Sequence, residues 1–419
     1  MIIKRALLNK LKNHLSAKEI SIIIGPRQVG KTTLMKEIEA ELRSKKRKVL
    51  FLNLDVENDK VFFESQELLL RKIRLEIGNT GYVFIDEIQR KENAGLFLKG
   101  IYDLGLDYKF VISGSYSLEL KEKIQESLTG RKRLFELLPV TFEEFVNYKT
   151  DYKYENKLIE FFDIEPEKTE NLLSEYISFG GYPRILTELS ILEKNKIINE
   201  IYRSYIDKDI VSLLNIDRPD AFSLLIKILS SGIGKLINYS NLAKLTGLSI
   251  VTLKKYLWYS EKTYVVQTIS PFFRNTVKEL TKSRSIYFYD LGLRNFAIGS
   301  FSLIENMNEI SFLFQNFVKN ILYEQTKWTS WDIRYWRTTD KAEVDFVAVK
   351  GERVIPFEVK YSKLKDVSVK RSLRSFIEKY SPKEAYVINL KFDKMIKINN
   401  TKVSFIPFYK LISNKIFDK

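Results

Sequence analysis

Residues 22–33 read IIIGPRQVGKTT, a short apolar run that meets the spacing G-x-x-x-x-G-K-T. No other stretch restricts the fold as strongly, because it demands a strand, a tight loop and a helix in that order. Residues 22–24 are expected as a buried strand and residues 25–30 as a loop whose backbone N–H groups face phosphate oxygens. Residues 31–39 form a helix that starts beneath that anion. Gly25 and Gly30 allow positive φ and a close backbone approach, with Pro26, Arg27, Gln28 and Val29 completing the cradle. Lys31 can reach the β and γ phosphates, the Thr32 hydroxyl can ligate Mg²⁺, and Thr33 follows in the first helical turn. A nucleotide with Mg²⁺ is the expected ligand. A plain glycine turn is the alternative, and the ordered strand, loop, Gly-Lys-Thr and helix argue against it.

At 419 residues and 45% hydrophobic content, the chain has room for two or three domains with proper cores, and it lacks a long apolar run. No membrane span is readable, and a cytoplasmic location is expected. The opening MIIKRALLNKLKNHL alternates charge with apolar residues at helical spacing, so it reads as a helix beside the P-loop strand rather than a signal peptide. Zero Cys and a single His14 exclude disulfides, thiolate catalysis, Cys/His zinc sites and His-based triads. Chemistry must then use carboxylates, Lys, Ser, Thr, Tyr or the nucleotide. Scarce Cys and Met beside abundant Lys and Glu also fit a thermophile. Residues 301–419 hold 22 Lys+Arg against 14 Asp+Glu, half of the net +16. Such a surface suits a polyanion, and DNA is the expected partner.

Residues 1–150 alternate helices with apolar runs at 49–54, 82–85 and 110–112, the pattern of buried parallel strands in an α/β layered domain. The second run ends in Asp86-Glu87, which offers a Mg²⁺-organising carboxylate and a base for the attacking water. The third leads into Ser113-Gly114-Ser115, where Ser115 and Ser113 are candidate γ-phosphate sensors or an ordinary turn. LTGRKR at 128–133 sets out Arg131 and Arg133 with no obvious acid partner. Either is a candidate arginine finger, acting across the boundary of a homo-oligomer, or part of an exposed basic turn.

GPRQVGKTTL, FIDEIQR, the SGS strand and SLTGRKRLFELLPVTFEEF resemble family 14 of the AAA-type ATPases. SFGGYPRIL from Ser178 and IYFYDLGLRN from Ile286 resemble the domain of unknown function 4143 that usually follows it. The resemblance implies ATP binding and hydrolysis by Lys31, Thr32, Asp86 and Glu87, and says little of the substrate.

Residues 151–300 read as a helical segment, broken at Gly180-Gly181-Tyr182-Pro183, followed by a winged helix-turn-helix. Ser240 is expected to cap one helix, Gly247-Leu248-Ser249 makes the turn, and Ser249 caps the next. Ile250, Leu253 and Leu257 should face inward, leaving Thr252, Lys254, Lys255 and Tyr256 for a DNA groove. Strands at 264–269 and 285–289 would form the wing. The near-neutral charge of this region equally suits a protein-contact module.

Residues 301–419 open with a helix over 311–326 and strands at 333–337, 343–349 and 354–361. Gly351-Glu352 suits a two-residue type II′ hairpin, which pairs Lys350 with Arg353 and sets Asp345 opposite Glu358 and Glu343 opposite Lys360. Asp345, Glu358 and Lys360 then resemble the core of the PD-(D/E)xK nuclease fold, an α/β restriction-endonuclease-like domain. There the carboxylates hold Mg²⁺ or Mn²⁺ and the lysine serves the attacking water. Cross-strand salt bridging is the alternative. Gln315 stands where related proteins often carry a metal-binding Glu, with Glu324 a substitute two turns on. Two functions follow: an ATP-driven DNA-processing enzyme with a metal-dependent endonuclease, or an ATP-switched regulator whose last domain binds without cutting.

Overall fold

The computed structural model describes residues 2–115, 128–210, 216–273, 283–304, 307–340, 342–413 and 416–417. The first layer system is a five-stranded sheet. Its strands are β1 (Ile20–Gly25), β2 (Val49–Asn53), β3 (Thr80–Asp86), β4 (Asp107–Ser115) and β5 (Lys132–Glu136), in the order β2-β3-β4-β1-β5 and all parallel. Because side chains alternate along a strand, β1 serves two cores. Ile23 packs with Leu8 and Leu11 of the N-terminal helix Leu7–Asn13 and with Leu34 and Ile38 of the helix Lys31–Ser44. Ile22 and Ile24 pack with Leu69 and Ile73 of Gln66–Ile77 and Leu98 of Ala94–Asp103. Helices on both faces explain why these strands read as unbroken apolar runs. β5 begins at the end of the segment 128–133 read as a basic turn. Its KRLFE has only two apolar residues, and it forms an edge strand paired to β1 on one side.

The first core does not stop at the sheet. Phe179, Ile198 and Ile201 join it from the helices Pro166–Phe179 and Ile191–Tyr202, Tyr182 joins it from the connection between them, and Phe222, Leu253 and Leu257 join it from beyond. The expected helix-turn-helix is formed by Tyr239–Thr246 and Ile250–Lys262, with Gly247 left-handed at φ 65°. Ser249 Oγ accepts from Thr252 N at 3.1 Å as expected, but the first helix is capped by Asn238 rather than Ser240. Tyr256 turns inward against Phe222 at 5.6 Å, and Ile250 faces solvent, because the buried stripe runs through 253, 256, 257 and 260. The following ribbon, β6 (Val266–Ile269) against β7 (Ser285–Phe288), is buried along β7 and mostly along β6. Its continuation pairs with a C-terminal strand through Phe272 N and Tyr335 O at 2.6 Å, so it is a connector rather than a free wing.

The last third is a six-stranded mixed sheet of β8 (Asp332–Arg337), β9 (Glu343–Lys350), β10 (Arg353–Val359), β11 (Glu384–Asn389), β12 (Lys394–Ile398) and β13 (Thr401–Pro407). The order is β12-β13-β11-β10-β9-β8. The helix Met307–Thr326 packs Phe314 and Phe317 on one face, and Arg371–Tyr380 packs Leu373 and Phe376 on the other.

Candidate functional site

Gly25 ends β1 with φ 151°, and a Cβ there would lie 2.0 Å from the carbonyl oxygen of Leu137, so a side chain is excluded. The chain then turns through Gln28 at φ 60° and Gly30 at φ 95° into the helix Lys31–Ser44. Lys31 is buried, and its Nζ donates to the carbonyls of Gly25 at 3.0 Å and Pro26 at 2.7 Å. Burial pushes its pKa down to about 8 against the upward pull of Glu87 and Asp86. Among the described residues, only backbone carbonyls are hydrogen-bonded to this ammonium, which suits it to an incoming phosphate.

β4 lies between β1 and β3, yet the two outer strands communicate across it. Asp86, buried at the end of β3, accepts from Thr32 Oγ1 at 2.7 Å and from the Ser113 hydroxyl of β4. Ser113 therefore orients Asp86. The backbone of Ser115 pairs with Gly25, and its side chain lies outside the described residues. Glu87 follows at φ 57°, a strained position for a non-glycine residue, and its carboxylate is held by the Gln89 amide. Val29 is fully buried, Arg27 is half-buried and Thr33 faces solvent.

Arg131 lies away from the phosphate loop of its own chain. Its main chain bonds Ile20 N at the start of β1, the opposite end from Gly25, and its guanidinium binds Asp103 at 2.6 Å. Asp103 is a local acid partner that the sequence did not reveal. Arg133 belongs to the same end of the sheet and lies over the Phe135 ring at 5.9 Å.

Several residues at the nucleotide loop carried no expectation. Arg5, from the N-terminal segment, donates Nη1 to Val29 O at 2.9 Å and Nη2 to Leu138 O at 2.6 Å. Its Nε bonds Glu144 at 3.0 Å. Glu144 is also the reciprocal partner of Thr141 in the capping box of Phe142–Lys149. One guanidinium thus ties the phosphate loop to the exit from the sheet. Arg184, directly after Pro183, reaches Gln28 Oε1 at 3.3 Å and pairs with Glu200. Asp290 caps Leu291–Ala297 and also accepts from Gly181 N at 2.7 Å. At Gly180, φ is 76° and a Cβ would lie 2.4 Å from Asp290 Oδ1, while at Gly181 it would lie 2.5 Å from Val140 O, so two close approaches require the Gly-Gly pair. The GGYPR and DLG strings were visible as motifs, but only the fold shows that they meet.

In the C-terminal sheet the β9–β10 ladder pairs Arg353 with Lys350 and continues to Phe357 with Phe346. This is the expected register, with Gly351 at φ 58° in the turn. The ladder ends at that pair. Trp336 pairs with Val344 and Arg334 with Val347, so Tyr335 alone opposes both Asp345 and Phe346, a bulge that re-aims Asp345. Asp345 accepts from Val359 N at 2.7 Å and from Gln315 Nε2 at 2.9 Å. Burial first, and Glu358 second, raise its pKa. Glu358 is buried and ion-paired to Lys370, a residue without an expected role. Lys360 lies beyond the end of β10, and its Nζ donates to Ser368 O at 2.9 Å. Glu343 pairs with Arg337 at 3.5 Å rather than with Lys360, and Glu324 pairs with Lys327. Among the described residues no group of three His, Cys, Asp or Glu side chains converges to hold a metal.

The parallel sheet, the loop at the end of β1 and the acid pair at the end of β3 define a P-loop ATPase domain of the AAA type. Residues 17–146 match the AAA domain of family 14, residues 170–303 match the domain of unknown function DUF8612, and residues 311–411 match the domain of unknown function DUF4143. The chain therefore joins an AAA domain of family 14 to a C-terminal DUF4143 domain. The segments SFGGYPRIL and IYFYDLGLRN, ascribed above to the latter, fall within the stretch matched by DUF8612. An uncharacterized protein of Methanocaldococcus jannaschii is 28% identical over 94% of this chain and 88% of its own length. One of Mycobacterium tuberculosis is 25% identical over 90% of this chain and 77% of its own. Among solved structures, the Aeropyrum pernix Orc1 protein in complex with DNA is similar at 13% identity and a TM-score of 0.33. That likeness covers 70% of this chain and 91% of that one. AMPPCP-bound DnaA from Aquifex aeolicus has a TM-score of 0.29 at 13% identity, covering 61% of this chain and 87% of that one. No helix among the described residues is long and apolar enough to cross a membrane.

Proposed function

We propose that the chain hydrolyses ATP with Mg²⁺ and uses the cycle to act on DNA in the cytoplasm. The observation that carries the first half is the wiring Lys31–Thr32–Asp86: a buried ammonium bonded to loop carbonyls beside a hydroxyl–carboxylate pair. Bound ATP with Mg²⁺ supplies the transferable phosphoryl group and the charge that neutralises it. The loop N–H groups and Lys31 bind the phosphates, Thr32 and Asp86 face the cation, and Glu87 takes up the proton of the attacking water. The Gln89 amide donates to one of the two carboxylate oxygens of Glu87 and so orients the base. Arg131 or Arg133 serves as a finger only from a second copy of the chain, since both lie at the far end of their own sheet.

DNA binding rests on the helix Ile250–Lys262, whose Lys254 and Lys255 are exposed, and on the basic last third. Turnover of wild type, Lys31→Ala and Glu87→Gln with Mg²⁺ tests the ATPase. Glu87→Gln should retain nucleotide and lose roughly 10²- to 10⁴-fold in rate, and undiminished turnover would remove Glu87 from the mechanism. Lys254→Glu with Lys255→Glu should weaken duplex binding and flatten its salt dependence.

The ion pair of Lys370 with Glu358 favours a second reading, in which the C-terminal sheet binds without cutting. A lysine supplies the positive charge that a divalent ion would bring to an endonuclease. Incubation of plasmid DNA with the protein and Mg²⁺ or Mn²⁺ decides this, and cleavage lost in Asp345→Ala would restore the nuclease.

A further inference from the structure

A cavity of about 300 Å³ lies between the helix Met307–Thr326, the ribbon strand β6 and the start of β8, apart from the phosphate loop and from Asp345. Thr329 and Asp332 at its edge are exposed, so it is open to solvent on that side. Lys319 lies in its wall and is itself only 3% exposed. Among the described residues this lysine has no hydrogen bond and no ion pair, and its Nζ sits over the Tyr323 ring at 4.7 Å. Unlike Gln267 Oε1 and Trp331 Nε1 at the same cavity, which are closed off from a molecule of water's size, the Nζ remains reachable.

The carboxylates nearby are engaged elsewhere. Glu261 accepts from the Thr268 hydroxyl, Asp332 pairs with Arg334 at 2.6 Å, and Glu136 receives Tyr264, Tyr323 and Lys327. Lys327, the other cation at the cavity, is held by Glu324 and Glu136. Burial lowers the pKa of Lys319 to about 7, against the upward pull of Glu261, Asp332 and Glu136. At neutral pH roughly half of the molecules then carry a neutral amine with a free lone pair.

We propose that Lys319 is a nucleophile that condenses with a small neutral aldehyde held in this cavity. The Nζ lone pair attacks the carbonyl carbon, and a proton passes from nitrogen to the carbonyl oxygen to give the carbinolamine. This takes one proton from solvent and loses water, leaving a protonated C=N bond. Its positive charge lies over the Tyr323 ring and in the field of Glu261, Asp332 and Glu136. The same carboxylates disfavour an anionic ligand, and the apolar part of the aldehyde meets Tyr289, Tyr323 and Ile333. The space is ample for an aryl group, because a cavity of about 150 Å³ already holds benzene.

Incubation of the full chain at pH 7 with benzaldehyde and cyanoborohydride, which transfers hydride to an iminium and fixes it as a secondary amine, tests the idea by peptide mass mapping. Lys319 should gain a benzyl group at least about tenfold faster than the exposed Lys254 and Lys255, since far less of an ordinary lysine is neutral at that pH. Lys319→Met keeps an unbranched side chain in the buried position and should lose this fast labelling alone. Benzyl alcohol, similar in shape but unreactive, should slow labelling of Lys319 and leave Lys254 unaffected. Labelling of Lys319 no faster than that of Lys254, or fast labelling that persists in Lys319→Met, would overturn the proposal. So would indifference to benzyl alcohol, which would mean that the cavity does not hold the aldehyde. Benzoate protecting Lys319 better than benzyl alcohol would overturn it in favour of an anion site.

Discussion

The nucleotide loop and the C-terminal carboxylate face draw on the same inventory, two acids and a lysine, and assemble it in opposite ways. At the loop, among the described residues, Lys31 is bonded to backbone carbonyls alone, and Asp86 is held by the hydroxyls of Thr32 and Ser113. Net charge there is left for a ligand. At the face, Glu358 is already neutralised by Lys370, Asp345 is capped by the Gln315 amide and a backbone N–H, and Lys360 is bonded to Ser368 O. The first arrangement is poised for a polyanion and its cation, and the second is satisfied without one. Composition and register cannot separate the two, because the difference lies in which neighbours the fold brings in.

The largest expected effect tests whether the loop's charge is functional. Asp86→Asn keeps the shape of the side chain but removes the charge beside Thr32, so turnover should fall roughly 10²- to 10³-fold. Stability of the nucleotide-free protein should barely change, or rise, because a buried carboxylate has been neutralised. A steady-state ATPase assay beside chemical denaturation reads both, and a large loss of stability with normal turnover would reverse the contrast.

At the face the same logic predicts the reverse outcome. Burial alone would lower the pKa of Lys370, but the Glu358 carboxylate leaves it raised. Lys370→Met strands Glu358 in the interior. Lys370 is 55% exposed, so the pair is screened and the cost is about 1–2 kcal/mol rather than that of a fully buried pair. The stranded carboxylate should then recover that loss by taking up Mn²⁺, seen as a thermal shift with Mn²⁺ that is absent in the wild type. A wild-type shift equal to that of the variant would show that Lys370 does not stand in for a cation.

What the sequence showed follows from how local each feature is. The strand–loop–helix of residues 22–33 is written in adjacent residues, and so are the Ser249 cap and the Gly351 turn, and all of them formed as read. β5 was overlooked because KRLFE has too few apolar residues to signal an edge strand. Tyr256 and Ile250 exchanged places because the buried stripe of their helix is set by Phe222, which lies outside it. Arg5, Arg184 and Lys370 escaped notice for one reason: each acts on a residue far from it in the chain, and a lone basic side chain carries no period or spacing. The bulge at Asp345 was equally hidden, since it depends on how β8 slips against β9.

The smallest expected effect is one of sign. Lys31 has its pKa pushed down to about 8 by burial, so above that pH the nucleotide-free site increasingly holds a neutral amine. Bound phosphates would favour the ammonium, so the complex binds more protons than the free protein, and affinity for ATP must fall as pH rises through 8. The slope cannot exceed tenfold per pH unit for one group. For folding alone, the same depressed pKa means that the unfolded chain binds the extra proton between about 8 and 10.5, so this group's contribution to stability increases with pH over that window. At the face the sign for ligand binding is opposite. Asp345 has its pKa raised, and a cation requires its ionised form, so any divalent binding there should strengthen as pH rises through that raised value. Titrating a fluorescent ATP analogue into wild type between pH 7 and 9.5, and Mn²⁺ into Lys370→Met between pH 5 and 8, compares the two slopes directly. Slopes of the same sign would mean that Lys31 or Asp345 is not the group being titrated, and the contrast drawn between the two sites would lose its electrostatic basis.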